Sequence, residues 1–246
     1  MSGGRRAAAG VVFALPVEAG RFADLVSEPL ATEAAGLRLH EGRVADRDVA
    51  WVVAGVGVRA AARACRLLVD GHRPRLVIAA GFAGALADDL ARGEIVCPWR
   101  AARVGEESID LVGLETAPAR RPLGILSVDR VVCSADEKRR LGREAAADLV
   151  DMETWAVARE ARDAGLPCAC LRVVSDTADE ELPREVARLA EAASPWRRLG
   201  LALGTLGRRP AAVGDLWRLW EQAVVDSRSL ADALERGIAA LPPTPP

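Results

Sequence analysis

From Val150 to Asp179 the chain reads VDMETWAVAREARDAGLPCACLRVVSDTAD, a run that sets a helix and a strand side by side. Helix formers fill Met152 to Ala164 behind Asp151, whose short acidic side chain suits an N-cap, and Gly165 and Pro167 stop the helix. Cys168 to Val174 follows at once and reads as a strand. Glu153 is expected to open the helix and Asp176 to close the strand. In alternating α/β chains, ligands bind beyond the carboxyl ends of strands. Two acids placed there point to chemistry on a polar small molecule.

The same alternation runs upstream. Gly10 to Leu15 reads as a buried first strand behind a disordered basic leader, Met1 to Ala9, and Pro16 starts a helix. Strands are predicted at Arg38–Arg43, Val49–Ala54, Leu76–Ala80, Ile95–Val104 and Leu123–Val132. Helices are predicted at Val58–Asp70 and, with a polar surface, Ala135–Ala146. The expected fold class is α/β: a mixed central β-sheet flanked by helices, with a helical C-terminal extension. Residues 10–183 form the expected catalytic domain, and 184–241 the helical extension of the same domain.

Composition narrows the function classes. A chain of 246 residues, half of them hydrophobic, supports one sizeable core. A net charge of −2 argues against general nucleic-acid affinity, and Lys138 is the only lysine among 33 basic residues. Five cysteines without paired spacing, and no leader with a long apolar core, predict a reduced cytoplasmic protein. The apolar runs fall short of the roughly 20 residues needed to span a bilayer. Cys168 and Cys170 face one way on the predicted strand and read as core rather than metal ligands, while His40 and His72 read as surface turns. No metal and no cofactor is implied.

Four segments in order carry a family likeness: VVFALPVE (Val11–Glu18), AGVGVRAA (Ala54–Ala61), AAGFAGAL (Ala79–Leu86) and the Met152–Glu153 and Ser175–Asp176 pairs. Together they resemble the purine and uridine phosphorylases and nucleosidases. The resemblance runs from about Val11 to Pro183. It implies that Met152 and Glu153 hold a ribose and that Ser175 and Asp176 address the base. It also implies that Glu18 activates water, and that Gly81, Phe82 and Gly84 wall the site. Family members commonly complete their sites across subunits, so a homo-oligomer is expected.

The bond to be broken explains why acids are needed. Departure of a purine from C1′ builds positive charge on the sugar and negative charge on the base. Asp176 can donate a proton or hydrogen bond to N7, Glu153 can accept from ribose hydroxyls, and Glu18 can serve as general base. Each also has a plainer explanation. Glu153 and Glu18 sit where acids favour a helix N-terminus, and Asp176 could cap a turn in competition with Asp179. The Gly55–Ala60 turn superficially suggests a dinucleotide loop but lacks the third glycine.

Departures from the family pattern favour water over phosphate. Phosphorylases of this family hold phosphate with two arginines and a hydroxyl, and two of those positions are Ala79 and Phe82 here. Replacing a guanidinium with a methyl removes a bidentate clamp. Only Arg21, in the first loop, is left to approach an anion.

Beyond Pro183, Ser194 to Leu206 and then Val213, Leu216, Trp217, Trp220, Val224, Leu230, Leu234 and Ile238 form amphipathic helical stripes. Such stripes either pack on the domain or a partner subunit, or form a lid or membrane-facing surface. Leu182–Pro183 and the Arg208–Pro210 step resemble the hopanoid-associated nucleosidases, which release adenine from adenosylhopane. That likeness implies a lipid-linked adenosine as partner and peripheral membrane contact through the C-terminal helices. The alternatives are a nucleosidase or phosphorylase for a soluble nucleoside (methylthioadenosine, adenosylhomocysteine or futalosine), or a silent nucleoside-binding protein. The arguments for the last are Phe82 and the bulk of Trp155 beside Glu153.

Overall fold

The computed structural model describes residues 6–116, 121–182 and 210–242, the last stretch with side chains from residue 221 onward. β1 (Ala9–Phe13) leads into α1 (Pro16–Leu25), and β2 (Ser27–Ala34), β3 (Leu37–Val44) and β4 (Arg47–Val53) make an antiparallel meander. α2 (Val58–His72) crosses to the long β5 (Val77–Ala85). Short strands follow: β6 (Ile95–Val96), β7 (Arg100–Ala102), β8 (Ile109–Asp110) and β9 (Gly124–Ser127). Then come α3 (Ala135–Ala145), β10 (Leu149–Asp151), α4 (Thr154–Asp163), β11 (Cys168–Asp176) and finally α5 (Pro210–Ala239).

The sheet is mixed and helix-flanked, as the alternation of elements predicts. Its order is β2-β3-β4-β1-β5-β10-β9-β7-β8, with β11 pairing β5 and β6. β1 and β11 run parallel to β5, whereas β10 is antiparallel to it. One feature of β5 builds the site. On its first edge it pairs with β1 from Val77 to Ala79 and with β10 only at Gly84 and Ala85. The sheet is therefore split beside residues 80–83.

Alternate residues of the central strands fill two cores. Val12, Val77, Ala79, Cys168 and Cys170 face α2 and α4 with Ala61, Cys65, Leu68 and Val157. Val11, Phe13, Ile78, Leu171 and Val173 face the other layer with Phe22 of α1 and Leu230, Leu234 and Ile238 of α5. The fully buried strands explain why these runs are apolar apart from Arg172. Cys168 and Cys170 are core residues, as expected.

Several expectations need correction. The leader is shorter than expected, because Ala7 and Ala8 are buried and the Ala8 N–H donates to the Asp48 carbonyl at 2.7 Å. Ile95–Val104 is two strands rather than one: Pro98 lies between β6 and β7 and has no N–H to give a ladder. Leu123–Val132 is a strand only over β9. His40 lies within β3, stacked on Trp51 at 4.8 Å, and His72 ends α2 beside Glu41. Neither is on a turn. Arg21 lies on the exposed side of α1 and pairs with Asp24 at 2.9 Å.

Leu230, Leu234 and Ile238 have 0% exposure and α5 packs against α1, so this half of the helix is core and not a membrane-facing surface. Each such side chain contributes roughly 1.5–3 kcal/mol by burial. Ser194–Leu206, the Arg208–Arg209 pair and the side chains of Val213, Leu216, Trp217 and Trp220 lie outside the described residues. Among the described residues, no helix is long and apolar enough to cross a membrane.

Candidate active site

Glu18 enters the split in the sheet. Pro16 at the first helical position fixes the start of α1, and the Glu18 side chain folds back over that start. Its Oε2 accepts from the N–H groups of Ala14 (2.9 Å) and Leu15 (2.8 Å), and its Oε1 accepts from Phe82 N–H (3.0 Å). The carboxyl thus takes the place of a neighbouring strand at the β5 edge. Burial raises its pKa, against the lowering attraction of Arg172 and the three backbone donors.

Gly81 is required by this arrangement. A Cβ there would sit 2.5 Å from both Glu18 Oε1 and Arg172 Nη1, and its φ of +155° is one that other residues rarely adopt. Phe82 contributes its amide to Glu18 and its partly buried ring to the cavity wall. Gly84 leaves room for the second acid: a Cβ there would lie 2.9 Å from Asp176 Oδ2.

Asp176 does close β11, but through an irregularity. The pairing with β5 shifts register between Val174 and Asp176, which turns the acid toward Gly84. The Ser175 hydroxyl donates to Asp176 Oδ1 at 2.6 Å and lies 3.2 Å from the Ala83 carbonyl. Lys138 Nζ of α3 lies 2.6 Å from Asp176 Oδ2 and is wholly buried.

Glu153 is the N-cap of α4, one residue before the helix, rather than a member of its first turn. The capping role predicted for Asp151 is kept at the level of the side chain: its Oδ2 accepts from Thr154 N–H at 2.8 Å. Glu153 Oε1 accepts from Gly57 N–H at 2.7 Å, which brings the Gly55–Ala60 turn onto the site as a backbone donor. Burial, and then repulsion from Asp151, push the Glu153 carboxyl up to about 8, against the attraction of Arg172.

Beneath these acids lies a buried network that the sequence reading missed. Arg172 Nη2 donates to Asp151 Oδ2 (2.6 Å) and to Thr154 Oγ1 (2.7 Å). Asp151 Oδ1 accepts from Ser127 Oγ (2.6 Å), which in turn accepts from Trp155 N–H. Burial works against the Arg172 charge, but Asp151, Cys170, Glu18 and Glu153 outweigh it and raise its pKa. A lone Arg within the apolar run CACLRVV was the available signal. Lys138 was hidden in a helix whose pattern reads as solvated, although its being the only lysine set it apart.

All eight predicted site residues except Gly81 line one cavity of about 230 Å³: Glu18, Phe82, Gly84, Met152, Glu153, Ser175 and Asp176. Gly81 stands just behind, against Glu18. The lining is completed in part by Val56, Val131, Val132 and Leu182. Trp155 turns into the core, its Nε1 donating to the Glu107 carbonyl at 2.9 Å, and so does not fill the site. Arg130 at the rim pairs with Glu137. A larger depression, about 300 Å³ near Leu30 and His72, holds none of the three acids. Among the described residues, no group of three or more His, Cys, Asp or Glu is placed to hold a metal ion.

The model of the phosphorylase superfamily matches residues 8–123 and 124–195. A 5′-methylthioadenosine/S-adenosylhomocysteine nucleosidase of Glaesserella parasuis is 26% identical over 202 residues, covering 70% of this chain and 86% of that protein. The Shewanella halifaxensis protein of the same name is 25% identical over 205 residues, covering 71% and 88%. Among solved structures, the nucleosidase of Neisseria meningitidis with methylthio-immucillin-A superposes with a TM-score of 0.73 at 18% identity, over 95% of this chain and 99% of that one. Futalosine hydrolase of Helicobacter pylori gives 0.71 at 17% identity, over 94% and 96%.

Proposed function

Because the chain belongs to the phosphorylase superfamily, we propose that it hydrolyses the N-glycosidic bond of a 5′-substituted adenosine and releases adenine. One observation carries the reading: Glu18, Glu153 and Asp176 converge on a single cavity, each held by a different set of donors.

In this reading Glu18 is the general base. Its carboxyl is fixed by three backbone N–H groups, and a raised pKa makes it a better proton acceptor for an attacking water. Glu153, with Met152 against the sugar, takes the ribose hydroxyls, a contact that strengthens as C1′ gains positive charge. Asp176, oriented by Ser175, donates to N7 of the departing base. Gly81, Phe82 and Gly84 shape the wall that brings Glu18 and Asp176 to the same substrate.

The pairing of the nearby cations supports water as the nucleophile. Arg172 is committed to Asp151, Arg130 to Glu137 and the exposed Arg21 to Asp24, while Ala79 is buried without a charge. None of these groups is arranged as the bidentate clamp that phosphate requires.

The named relatives favour a soluble 5′-substituted nucleoside, such as methylthioadenosine, adenosylhomocysteine or futalosine, as the substrate. Adenosylhopane remains the second reading, carried by Leu182 at the cavity wall, the end of the chain stretch that resembles the hopanoid-associated enzymes. The test is base release from methylthioadenosine, adenosylhomocysteine, futalosine and detergent-solubilised adenosylhopane. Release from the lipid alone selects the second reading, and release from a soluble nucleoside the first. Tight binding of all four with no base released rejects hydrolysis altogether.

A further inference from the structure

Lys138 is the only lysine of the chain, it is 0% exposed, and the hydrolytic reading gives it no part. Its ammonium has three hydrogens and three acceptors: Asp176 Oδ2 at 2.6 Å, the Thr177 carbonyl at 2.7 Å and the Glu180 carbonyl at 2.8 Å. Helix α3 carries it there, starting at a Ser134 cap and burying Lys138 between the partly buried Glu137 and Arg139. A buried cation is retained only where its hydrogen bonds and counter-charge offset the loss of water. Its side-chain acceptor is the acid expected to protonate the base, with Ser175 Oγ on that acid's other oxygen.

We propose that Lys138 is a positioning residue for departure of the base. It aims the Asp176 carboxyl and compensates the negative charge left on Asp176 when its proton passes to N7. The step balances as follows. The C1′–N9 electron pair goes to the base, the Asp176 proton goes to N7, and the resulting carboxylate is met by the Lys138 ammonium. The oxygen of water bonds to C1′ and its proton goes to Glu18, from which solvent returns it to Asp176. A cation placed where charge develops in the transition state acts on turnover more than on substrate binding. The contacts to the Thr177 and Glu180 carbonyls also tie the loop after β11 to α3, so the same side chain keeps Asp176 in register with the base.

This assignment rests on the nucleosidase reading, and the experiment separates the two. Wild type and Lys138→Met are compared on methylthioadenosine and on the corresponding 5-methylthioribosyl 4-nitrophenoxide, whose leaving group departs without protonation. The expected result for Lys138→Met is a kcat on methylthioadenosine lower by about 100-fold, with KM within about threefold. Turnover of the nitrophenoxide is expected within about threefold of wild type, which also reports an intact fold. Lys138→Gln, which keeps a donor and loses the charge, is expected to show the same split. Equal loss on both substrates, or no loss on methylthioadenosine, overturns the assignment alone. A wild-type protein that releases no base from methylthioadenosine, adenosylhomocysteine, futalosine or adenosylhopane overturns the nucleosidase reading and the assignment with it.

Discussion

Glu18 Oε1 accepts a hydrogen bond from Phe82 N–H at 3.0 Å, at the point where β5 has left β1 and has not yet met β10. A side chain from the first helix thereby completes the edge of the central strand. The site is therefore inseparable from the fold: the gap in the sheet is what admits the acid.

Glu18→Gln preserves the shape and one acceptor oxygen but removes the base and sets an amide NH2 against backbone N–H groups that the carboxylate accepts from. Turnover of an accepted nucleoside is expected to fall by about 10²–10⁴-fold, with a loss of roughly 1–3 kcal/mol of stability. Adenine release and a melting curve on the same preparation check this.

Gly81→Ala tests the crowding behind the acid. The new methyl would meet Glu18 and Arg172 at 2.5 Å, so either the carboxyl or the guanidinium must shift. Loss of roughly 1–3 kcal/mol of stability, together with loss of turnover, is expected from denaturant unfolding and kinetics.

Asp151→Ala leaves Arg172 buried without its partner and removes the acceptor for Ser127 and Thr154. Breaking a buried pair in this way costs roughly 3–5 kcal/mol. Denaturant titration should show it as a lower midpoint with an unchanged slope.

Glu153 sets a pH dependence of stability. Its carboxyl is pushed up to about 8 in the folded chain, above its unfolded value, so it contributes stability fully at pH values below the unfolded pKa. That contribution is lost as pH rises toward about 8. Glu18 is shifted in the same direction. Melting temperature should therefore fall across this window, and Glu153→Gln should flatten the decline.

Much of the fold was legible because buried strands announce themselves. The runs at Val11, Val49 and Leu76 are apolar on both faces, that at Cys168 is interrupted only by Arg172, and all are strands of the sheet; α4 stops before Gly165, which has φ +70°, with Leu166 N–H donating to the Ala161 carbonyl. β2 was not legible: all but the last of its residues are exposed, so nothing in SEPLATEA alternates between core and solvent. β10 is three residues long, too short for a period to register.

The site was legible only in part. Glu153 and Asp176 are marked by their place at a helix start and a strand end, but their roles, and Glu18 itself, emerge only through family likeness, since an acid near a helix start is ordinarily explained by the helix dipole. Arg172 and Lys138 were not found, because binary patterning treats a charge as a mark of the surface and their partners are distant in sequence. Burial of each is explained only by what it meets: Asp151 for one, Asp176 for the other.

The most direct measurement is base release from methylthioadenosine with and without inorganic phosphate, with identification of the sugar product. The account predicts adenine and free methylthioribose at a rate independent of phosphate, lowered by about 10²–10⁴-fold in Glu18→Gln. Phosphate-dependent release yielding a sugar 1-phosphate would contradict it.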